Sequence, residues 1–152
     1  MNEKFLNILI KECKKAFKKD EVPIACIITK NNKIVSKSHN LKHKTNFILN
    51  HAEVLAIKKA AKKNKDWRLN GYDMYVTLEP CPMCTGAIIQ SRISKLIIGT
   101  FNKDMGACGS VVNLIDNRNL NSFVEVVWSY DERCGNLLMD FFLFLYDYVL
   151  FQ

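Results

Sequence analysis

No internal repeat, low-complexity tract or linker interrupts this sequence. These absences exclude a repeat architecture and give no reason to expect a second domain. Apolar residues make up 49% of the 152 residues, and a chain of this length can bury about 70% of its unfolded surface around one core. We therefore expect a single domain over residues 1–152.

The sequence also has no long apolar run. The run from Phe5 to Ile10 is interrupted by Asn7 and is too short for the core of a signal peptide. The C-terminal run from Leu137 to Phe151 contains Asp140 and Asp147, and it is shorter than the roughly 20 apolar residues that a bilayer core requires. We expect no signal peptide and no membrane span, and the C-terminal run predicts a packed terminal helix.

The six cysteines do not form a disulfide framework. Cys81 and Cys84 are three residues apart, whereas the other four stand singly in unrelated contexts, at Cys13, Cys26, Cys108 and Cys134. Disulfide-rich secreted domains have regularly spaced cysteines that pair with one another. This usage predicts a reducing, cytoplasmic setting.

Positive charge exceeds negative charge, with 22 Lys and Arg against 15 Asp and Glu and a net charge of +7. Such a balance suits a polyanionic partner, but it equally describes a solvated basic surface. The densest group follows an apolar helical pattern, where cations are favourable to the helix dipole. Its members are Lys58, Lys59, Lys62, Lys63, Lys65 and Arg68.

Hydrophobic periodicity and turn residues predict helices that alternate with strands, which is typical of an α/β fold. In chain order, we predict a helix over 3–19, a hairpin of strands 22–29 and 34–38, a loop over 39–50 and a helix beginning near 51. A strand over 72–78, a helix over 81–91, a strand over 95–100 and a loop over 101–110 follow. The rest of the chain is predicted to form at most one helical turn over 111–115, a strand over 123–128 and a last helix that Ser129 or Asp131 caps and that runs to about Tyr148.

Two thiols lie at the predicted start of the helix over 81–91. Pro80 and Pro82 flank Cys81, and a spacing of three residues turns Cys81 and Cys84 to the same face. The positive end of the helix dipole favours both thiolates. Two thiolates cannot complete a zinc shell, so the pair requires a further donor from elsewhere in the chain.

His51 and Glu53 can supply that donor and a proton carrier. Both residues open a predicted helix, where the first turn can direct both side chains inward. One imidazole and two thiolates leave one zinc position open, which indicates a catalytic rather than a structural site. A zinc ion with an open position activates water, and an adjacent carboxylate can act first as base and then as acid.

Each motif taken alone has a simpler interpretation. A single Cys-x-x-Cys is more often a structural metal clip or a redox pair, and a single His-x-Glu has almost no specificity. A structural site with four ligands is disfavoured because no other Cys or His has a clear pairing motif. The combination of the two motifs, each at the start of a predicted helix, favours catalytic zinc.

Four segments carry a resemblance to bacterial tRNA-specific adenosine deaminases, within the cytidine/deoxycytidylate deaminase superfamily. The longest is residues 77–93, TLEPCPMCTGAIIQSRI, which contains the cysteine motif that marks zinc nucleobase deaminases. Glu21-Val22-Pro23, Gly106-Ala107-Cys108-Gly109-Ser110 and Leu137-Leu138-Met139-Asp140-Phe141-Phe142 are similar to that family as well. The resemblance extends over nearly the whole chain.

The resemblance implies one zinc-dependent nucleobase deaminase domain with a cytidine-deaminase-like fold, a three-layer α/β/α arrangement around a five-stranded mixed sheet. It implies hydrolytic deamination of adenosine to inosine at the tRNA anticodon wobble position, with release of ammonia. It also implies that the partners are a tRNA anticodon stem-loop and, in a homodimer, a second copy of the chain. The membrane plays no part in this function.

The resemblance also assigns roles to individual residues. It implies that His51, Cys81 and Cys84 hold one Zn²⁺ per chain and that Glu53 is the proton shuttle. It also implies three substrate contacts: Asn40 hydrogen-bonds the flipped base, Pro23 lies in the pocket wall and Asn102 lies near the ribose.

Three departures from the family pattern affect substrate recognition. Phe47-Ile48-Leu49-Asn50 replaces an Asp-Pro-Thr-type approach to the histidine, and Asn102 replaces an acidic residue, which is expected to weaken discrimination between RNA and DNA. The last helix ends in the apolar run from Phe144 to Phe151 where the family has Arg and Lys. Either aromatic stacking replaces phosphate contacts there, or that end packs against protein.

Two alternative functions remain at this point. The chain could deaminate free bases or nucleosides of the guanine or cytosine type, although the charge of +7 favours a nucleic-acid substrate. It could also be a catalytically silent RNA-binding partner subunit. The intact Glu53 argues against a silent subunit, because such a subunit has no need of a proton shuttle.

Overall fold

A computed structural model describes the backbone of residues 1–150 and the side chains of residues 1–148. The predicted tail contact therefore lies partly outside the described residues, at Phe151. The helices are α1 Glu3–Phe17, α2 Lys42–Thr45, α3 Ala52–Asn64, α4 Pro82–Gln90 and α5 Glu132–Leu150, and a 3-10 turn covers Arg118–Leu120. The strands are β1 Ala25–Lys30, β2 Lys33–His39, β3 Asp73–Leu78, β4 Lys95–Thr100 and β5 Glu125–Trp128.

The five strands form one mixed sheet in the order β2-β1-β3-β4-β5. Strand β1 is antiparallel to both β2 and β3, whereas β3, β4 and β5 are parallel. The β1–β2 hairpin turns at Asn31 and Asn32, which have φ values of 49° and 58°. Asparagine tolerates this left-handed conformation, and two such residues give the turn that matches the twist of a hairpin.

Both faces of the sheet are covered, because alternate residues of its strands pack in opposite directions. On one face, Ala25 and Ile27 pack with Phe5 and Leu9 of α1. On the other face, Cys26 and Ile28 belong to a larger core that includes residues of α3 and α4. The helices thus form a layer on each side of the sheet, and the predicted three-layer α/β/α arrangement is confirmed.

The chain between α1 and β2 differs from the sequence-based prediction at the start of its first strand. Ile24 N–H donates a hydrogen bond to Val22 C=O at 2.7 Å, which closes a tight turn around Pro23. The strand consequently begins at Ala25 rather than at Val22. Pro23 lies just before the strand, where its missing N–H does not interrupt the sheet.

One connecting segment also differs from the prediction, and a second lies within its limit. The loop over 39–50 contains the short helix α2, which ends at Asn46 with φ 49°. No helical turn forms over 111–115, because Asn113 pairs with Cys108 in an isolated bridge, and the 3-10 turn lies further on, at Arg118–Leu120.

The last two elements follow the prediction closely. Strand β5 begins at Glu125, two residues later than expected. The side chain of Asp131 accepts the Arg133 N–H at 3.1 Å, so Asp131 rather than Ser129 caps α5. Within residues 1–150, no helix is both long enough and apolar enough to cross a membrane.

Candidate active site

Two helix starts meet at the end of β3 and bring the predicted metal donors together. His51 precedes the first residue of α3 with ψ 152°, and Cys81 precedes the first residue of α4 with ψ 170°. Neither side chain caps its own helix. Helices α3 and α4 pack against each other, so the imidazole and the thiol are free to face one another across the contact.

The three donor atoms lie close together. His51 Nδ1 is 3.5 Å from Cys84 Sγ and 3.8 Å from Cys81 Sγ. Ordinary zinc–sulfur and zinc–nitrogen bond lengths in a tetrahedral site separate the nitrogen and sulfur ligands by roughly 3.6 Å. All three donors lie within 4.8 Å of one another, and no fourth His, Cys, Asp or Glu of the described residues joins them. The geometry therefore fits a zinc ion with one position left for a non-protein ligand.

The two thiols differ in acidity. The neighbouring Cys84 thiol and the contact with His51 lower the pKa of Cys81 to about 4. The closeness of Cys81 and burial raise the pKa of Cys84. The hydrogen bond to Cys81 raises the pKa of His51. Cys81 is therefore the more acidic of the two thiols, and a metal that binds this group must displace the proton of Cys84.

Glu53 is buried next to this donor group, with 4% of its surface exposed. Burial raises the pKa of its carboxyl group, and the charge of the Cys81 thiolate raises it further, while His51 opposes both effects. A carboxyl group with a raised pKa can both accept and return a proton. Its burial and its position make Glu53 suited to proton transfer at an atom held by the donor group.

Backbone hydrogen bonds bring the segments of Pro23 and Asn40 to the start of α3. Asn40 N–H donates to Ile24 C=O at 3.0 Å, and Leu41 N–H donates to Asn50 C=O at 3.0 Å. Asn40 is therefore held between the residue after Pro23 and the residue before His51. With 3% of its surface exposed, it lies in the interior of the protein.

Sequence reasoning assigned no role to Glu21, which is fully buried. Its Oε2 accepts Asn40 Nδ2 at 3.1 Å, and its Oε1 accepts Lys44 N–H at 2.7 Å. A carboxylate can only accept hydrogen bonds, so the amide nitrogen of Asn40 faces Glu21 and its Oδ1 turns away. The one available signal was its place beside Pro23 in a segment that resembles the family, because a charged residue next to a strand otherwise indicates a solvent-exposed position.

Comparison with known proteins places these features in a family. Residues 2–145 match the family model described as MafB19-like deaminase. The chain belongs to this deaminase family. The chain is also similar to two proteins named tRNA-specific adenosine deaminase. One is from Bacillus subtilis (strain 168), 42% identical over 142 residues that cover 93% of this chain and 88% of that protein. The other is from Aquifex aeolicus (strain VF5), 42% identical over 142 residues that cover 92% and 93%.

A solved structure from work on A-to-I editing by tRNA:A34 deaminases at the wobble position of transfer RNA has the same fold as this deaminase. The TM-score is 0.85 at 30% sequence identity, and the match covers 88% of this chain and 98% of the other. The resemblance to bacterial tRNA-specific adenosine deaminases and the cytidine-deaminase-like fold with its five-stranded mixed sheet are thereby confirmed.

Another buried glutamate, Glu79, organises the loop after β4 in the deaminase. Glu79 is 1% exposed and accepts hydrogen bonds from the N–H groups of Asn102, Cys108 and Ser110 at 2.9 to 3.1 Å, and from the Ser110 hydroxyl. A side chain on Gly106 would clash with this carboxylate. These residues belong to the segments that resemble the family, but the sequence did not predict that one carboxylate holds the loop.

Asn102 lies in this loop, and its side chain is engaged there. Its amide donates to Glu79 C=O at 3.4 Å, and its Oδ1 accepts the N–H groups of Asp104 and Met105 at 3.3 and 3.1 Å. Ala107 N–H donates to Pro80 C=O at 2.9 Å, which fixes the loop beside Cys81. The structure thus brings the loop to the donor group, while the Asn102 side chain braces the loop itself.

The segment before His51, one of the three expected departures from the family pattern, exposes its apolar side chains. Phe47, Ile48 and Leu49 are 50%, 60% and 43% exposed, although they immediately precede Asn50 and His51. Phe47 N–H donates to Lys42 C=O and Asn50 N–H donates to Phe47 C=O, each at 3.1 Å. These bonds hold a compact turn whose apolar side chains are exposed just before His51 in the chain.

Proposed function

We propose that this deaminase converts adenosine to inosine at the wobble position of a tRNA anticodon, in a zinc-dependent hydrolytic reaction. The observation that carries the proposal is the three-donor group with Glu53 buried beside it, in a chain 42% identical over nearly its whole length to proteins named tRNA-specific adenosine deaminase. Adenosine and water react, and inosine and ammonia are released.

His51, Cys81 and Cys84 would hold one Zn²⁺ per chain, which would supply the Lewis acidity that activates water at neutral pH. Glu53 accepts a proton from the water while the water oxygen bonds to C6 of the adenine. The same carboxyl group passes this proton to a ring nitrogen and then carries the second proton of the water to the amino group. The bond between C6 and that amino group breaks, and the amino group leaves as ammonia.

Three residues contribute to binding the flipped base and its nucleotide. Asn40 hydrogen-bonds the base, and the Glu21 carboxylate fixes the orientation of its amide. Pro23 forms part of the pocket wall at the tight turn before β1. Asn102 contributes near the ribose through the loop that its side chain braces, so its influence on the choice between RNA and DNA is exerted by loop position.

The partners in this proposal are the tRNA anticodon stem-loop and a second copy of the chain, in the cytoplasm. The net charge of +7 favours a polyanion. A groove of about 600 Å³ beside α3 and α4, lined by Ile57, Ala87 and Ile89 among others, supports a homodimer through these helices. The cysteines of the described residues are all unpaired, which supports a reducing compartment.

Nucleoside mass spectrometry tests the proposed reaction. Purified protein is incubated with an anticodon stem-loop that carries adenosine at the wobble position, and in parallel with free adenosine, guanine and cytidine. We expect inosine in the stem-loop and none from the free compounds. Ammonia from a free compound with an unchanged stem-loop would instead support a free-base or nucleoside deaminase. A zinc-loaded protein that binds the stem-loop and deaminates nothing would indicate a silent partner subunit.

A further inference from the structure

Three aromatic side chains form a cluster outside the donor group. The Phe101 ring lies 4.7 Å from Trp128 and 5.3 Å from Tyr130, measured between ring centroids. Trp128 and Tyr130 are 5.8 Å apart with an interplanar angle of 13°, so their rings are nearly parallel. We refer to these three residues as the aromatic cluster.

The aromatic cluster lies at the same end of the sheet as Cys81. Leu78 pairs with Thr100, and Ile98 pairs with Trp128, so β3, β4 and β5 end side by side. Cys81 follows β3, whereas Phe101 follows β4, one strand away, and Trp128 and Tyr130 lie at and just after the end of β5, two strands away. Because neighbouring strands are about 4.8 Å apart, this offset is roughly 5 to 10 Å. Trp128 packs against the core on the α3 and α4 face, the face that carries the donor group.

The cluster is exposed, and the chain holds it in place at the cost of backbone strain. Phe101 and Tyr130 are 43% and 60% exposed. Tyr130 has φ 46°, a left-handed conformation that is unfavourable for a bulky residue. Hydrogen bonds on either side of it, from Ser129 N–H to Ile98 C=O and from Asp131 N–H to Gly99 C=O, both 2.9 Å, keep that conformation. Strain of this kind concentrates at functional positions.

We propose that the aromatic cluster is a stacking platform for unpaired bases of the RNA substrate that neighbour the deaminated adenosine. This inference rests on the proposed function. Single-stranded RNA is recognised largely by stacking of splayed bases on aromatic rings, a contact that every base can make. A flipped adenosine at the donor group places its unpaired neighbours near the ends of β4 and β5, one and two strands from the strand that leads to Cys81, where the rings lie. A mere cap for the sheet end would not require two exposed rings and a strained tyrosine.

Fluorescence titration tests the platform directly, because the chain has two tryptophans. In full-length, zinc-loaded Trp67→Phe protein, Trp128 is the reporter. Trp67 stacks on Arg68, away from the cluster. We expect an anticodon stem-loop to quench Trp128 emission. Phe101→Ala and Tyr130→Gly, in the same background, should each weaken stem-loop binding by about 5- to 100-fold, whereas Tyr130→Phe keeps an aromatic ring and should retain affinity.

Tyr130→Gly also separates stacking from a structural role. Glycine adopts φ 46° without strain, so the variant should unfold at the same temperature as the parent, or a higher one, while it binds RNA less tightly. Unaltered affinity and unquenched Trp128 in a protein that deaminates the stem-loop would overturn the platform and leave the proposed function intact. Loss of dimer with unchanged RNA affinity would assign the cluster to a protein interface and overturn it as well. A parent protein that binds no stem-loop would overturn both.

Discussion

Glu21, Glu53 and Glu79 are all buried, and the neighbours of each carboxylate determine what it can do. Four donors surround Glu79, which is therefore committed to holding a loop. Glu21 accepts one backbone and one side-chain hydrogen bond and orients Asn40. Glu53 lies against the metal donors and keeps a raised pKa through burial, which leaves it available for proton transfer.

Replacement of Glu53 tests that assignment. Glu53→Ala and the nearly isosteric Glu53→Gln should retain one zinc per chain, because the three donors are unchanged, and should lower the deamination rate by at least about 100-fold, since the proton carrier is lost. Zinc is measured by elemental mass spectrometry and the rate from inosine formation in the stem-loop. Either variant working at the parent rate would contradict the mechanism.

Replacement of Glu21 tests whether the orientation of Asn40 matters. Glu21→Gln preserves size, but an amide can donate as well as accept, so Asn40 is no longer held in one orientation. We expect the KM for the stem-loop to rise by about 5-fold or more, while zinc content stays constant. Glu132→Gln, at an exposed position of α5, is the matched control. A fall in thermal stability with unchanged KM would reduce Glu21 to a structural brace.

The sequence pointed to His51, Glu53, Cys81 and Cys84 because the spacing and residue types of those motifs follow from metal chemistry. It could not reveal Glu21 or the loop-bracing role of Asn102. The partners of Glu21 lie 19 and 23 residues away in the chain, and Asn102 reaches Glu79 C=O across 23 residues, so no local pattern encodes those contacts.

At the scale of elements, α1 is fastened to β2 by a buried charge. Glu12 of α1, 4% exposed, contacts Lys15 at 2.7 Å, His39 at 2.9 Å and Lys37 at 3.5 Å. Burial opposes its ionisation, but the hydrogen bonds from Lys15 and His39 outweigh burial and lower the pKa of Glu12 from 4.5 to about 2. The contact joins the helix to the sheet at the strand that ends beside Asn40.

These contacts of Glu12 make the stability of the protein depend on pH between about 2 and 4.5. Because the pKa of Glu12 is lower in the folded chain, its contribution is complete above about pH 4.5 and is lost as the pH falls towards 2. We expect the free energy of unfolding, measured by urea denaturation, to fall over that range. Glu12→Gln should be less stable near neutral pH and should lack this part of the acid loss. An identical pH dependence in both proteins would contradict the role of Glu12.

The elements predicted from periodicity were mostly correct, and the errors fall at their connections. Helices α1 and α3 and strands β3 and β4 have strong apolar patterns that packing preserves. The start of β1 moved because a turn around Pro23 competed with the strand. Helix α2 was missed because four residues carry too little periodicity to indicate a helix.

At the scale of the whole molecule, the net charge of +7 has two interpretations, a phosphate-binding surface or a solvated one. Lys62 and Lys63 lie near the end of α3, where the helix dipole also favours cations. Both side chains are exposed, which is compatible with either interpretation. A measurement of RNA affinity at several salt concentrations distinguishes them.

The salt dependence of RNA binding separates the two. Each lysine that neutralises a phosphate steepens the slope of log affinity against log salt by about 0.7 to 0.9. We expect the double variant Lys62→Ala, Lys63→Ala to have a slope shallower by about 1 to 2. The control is the double variant Lys11→Ala, Lys14→Ala, at exposed positions of α1. A slope equal to that of the parent protein would assign Lys62 and Lys63 to the solvated surface.

The central claim concerns one zinc ion held by three protein side chains, with a position left for water. Zinc-edge X-ray absorption of the purified protein measures its ligands directly. We predict two sulfur ligands at about 2.3 Å, one imidazole nitrogen at about 2.0–2.1 Å and one oxygen that does not come from the protein. A fourth protein ligand, either sulfur or nitrogen, would close the site and contradict the account.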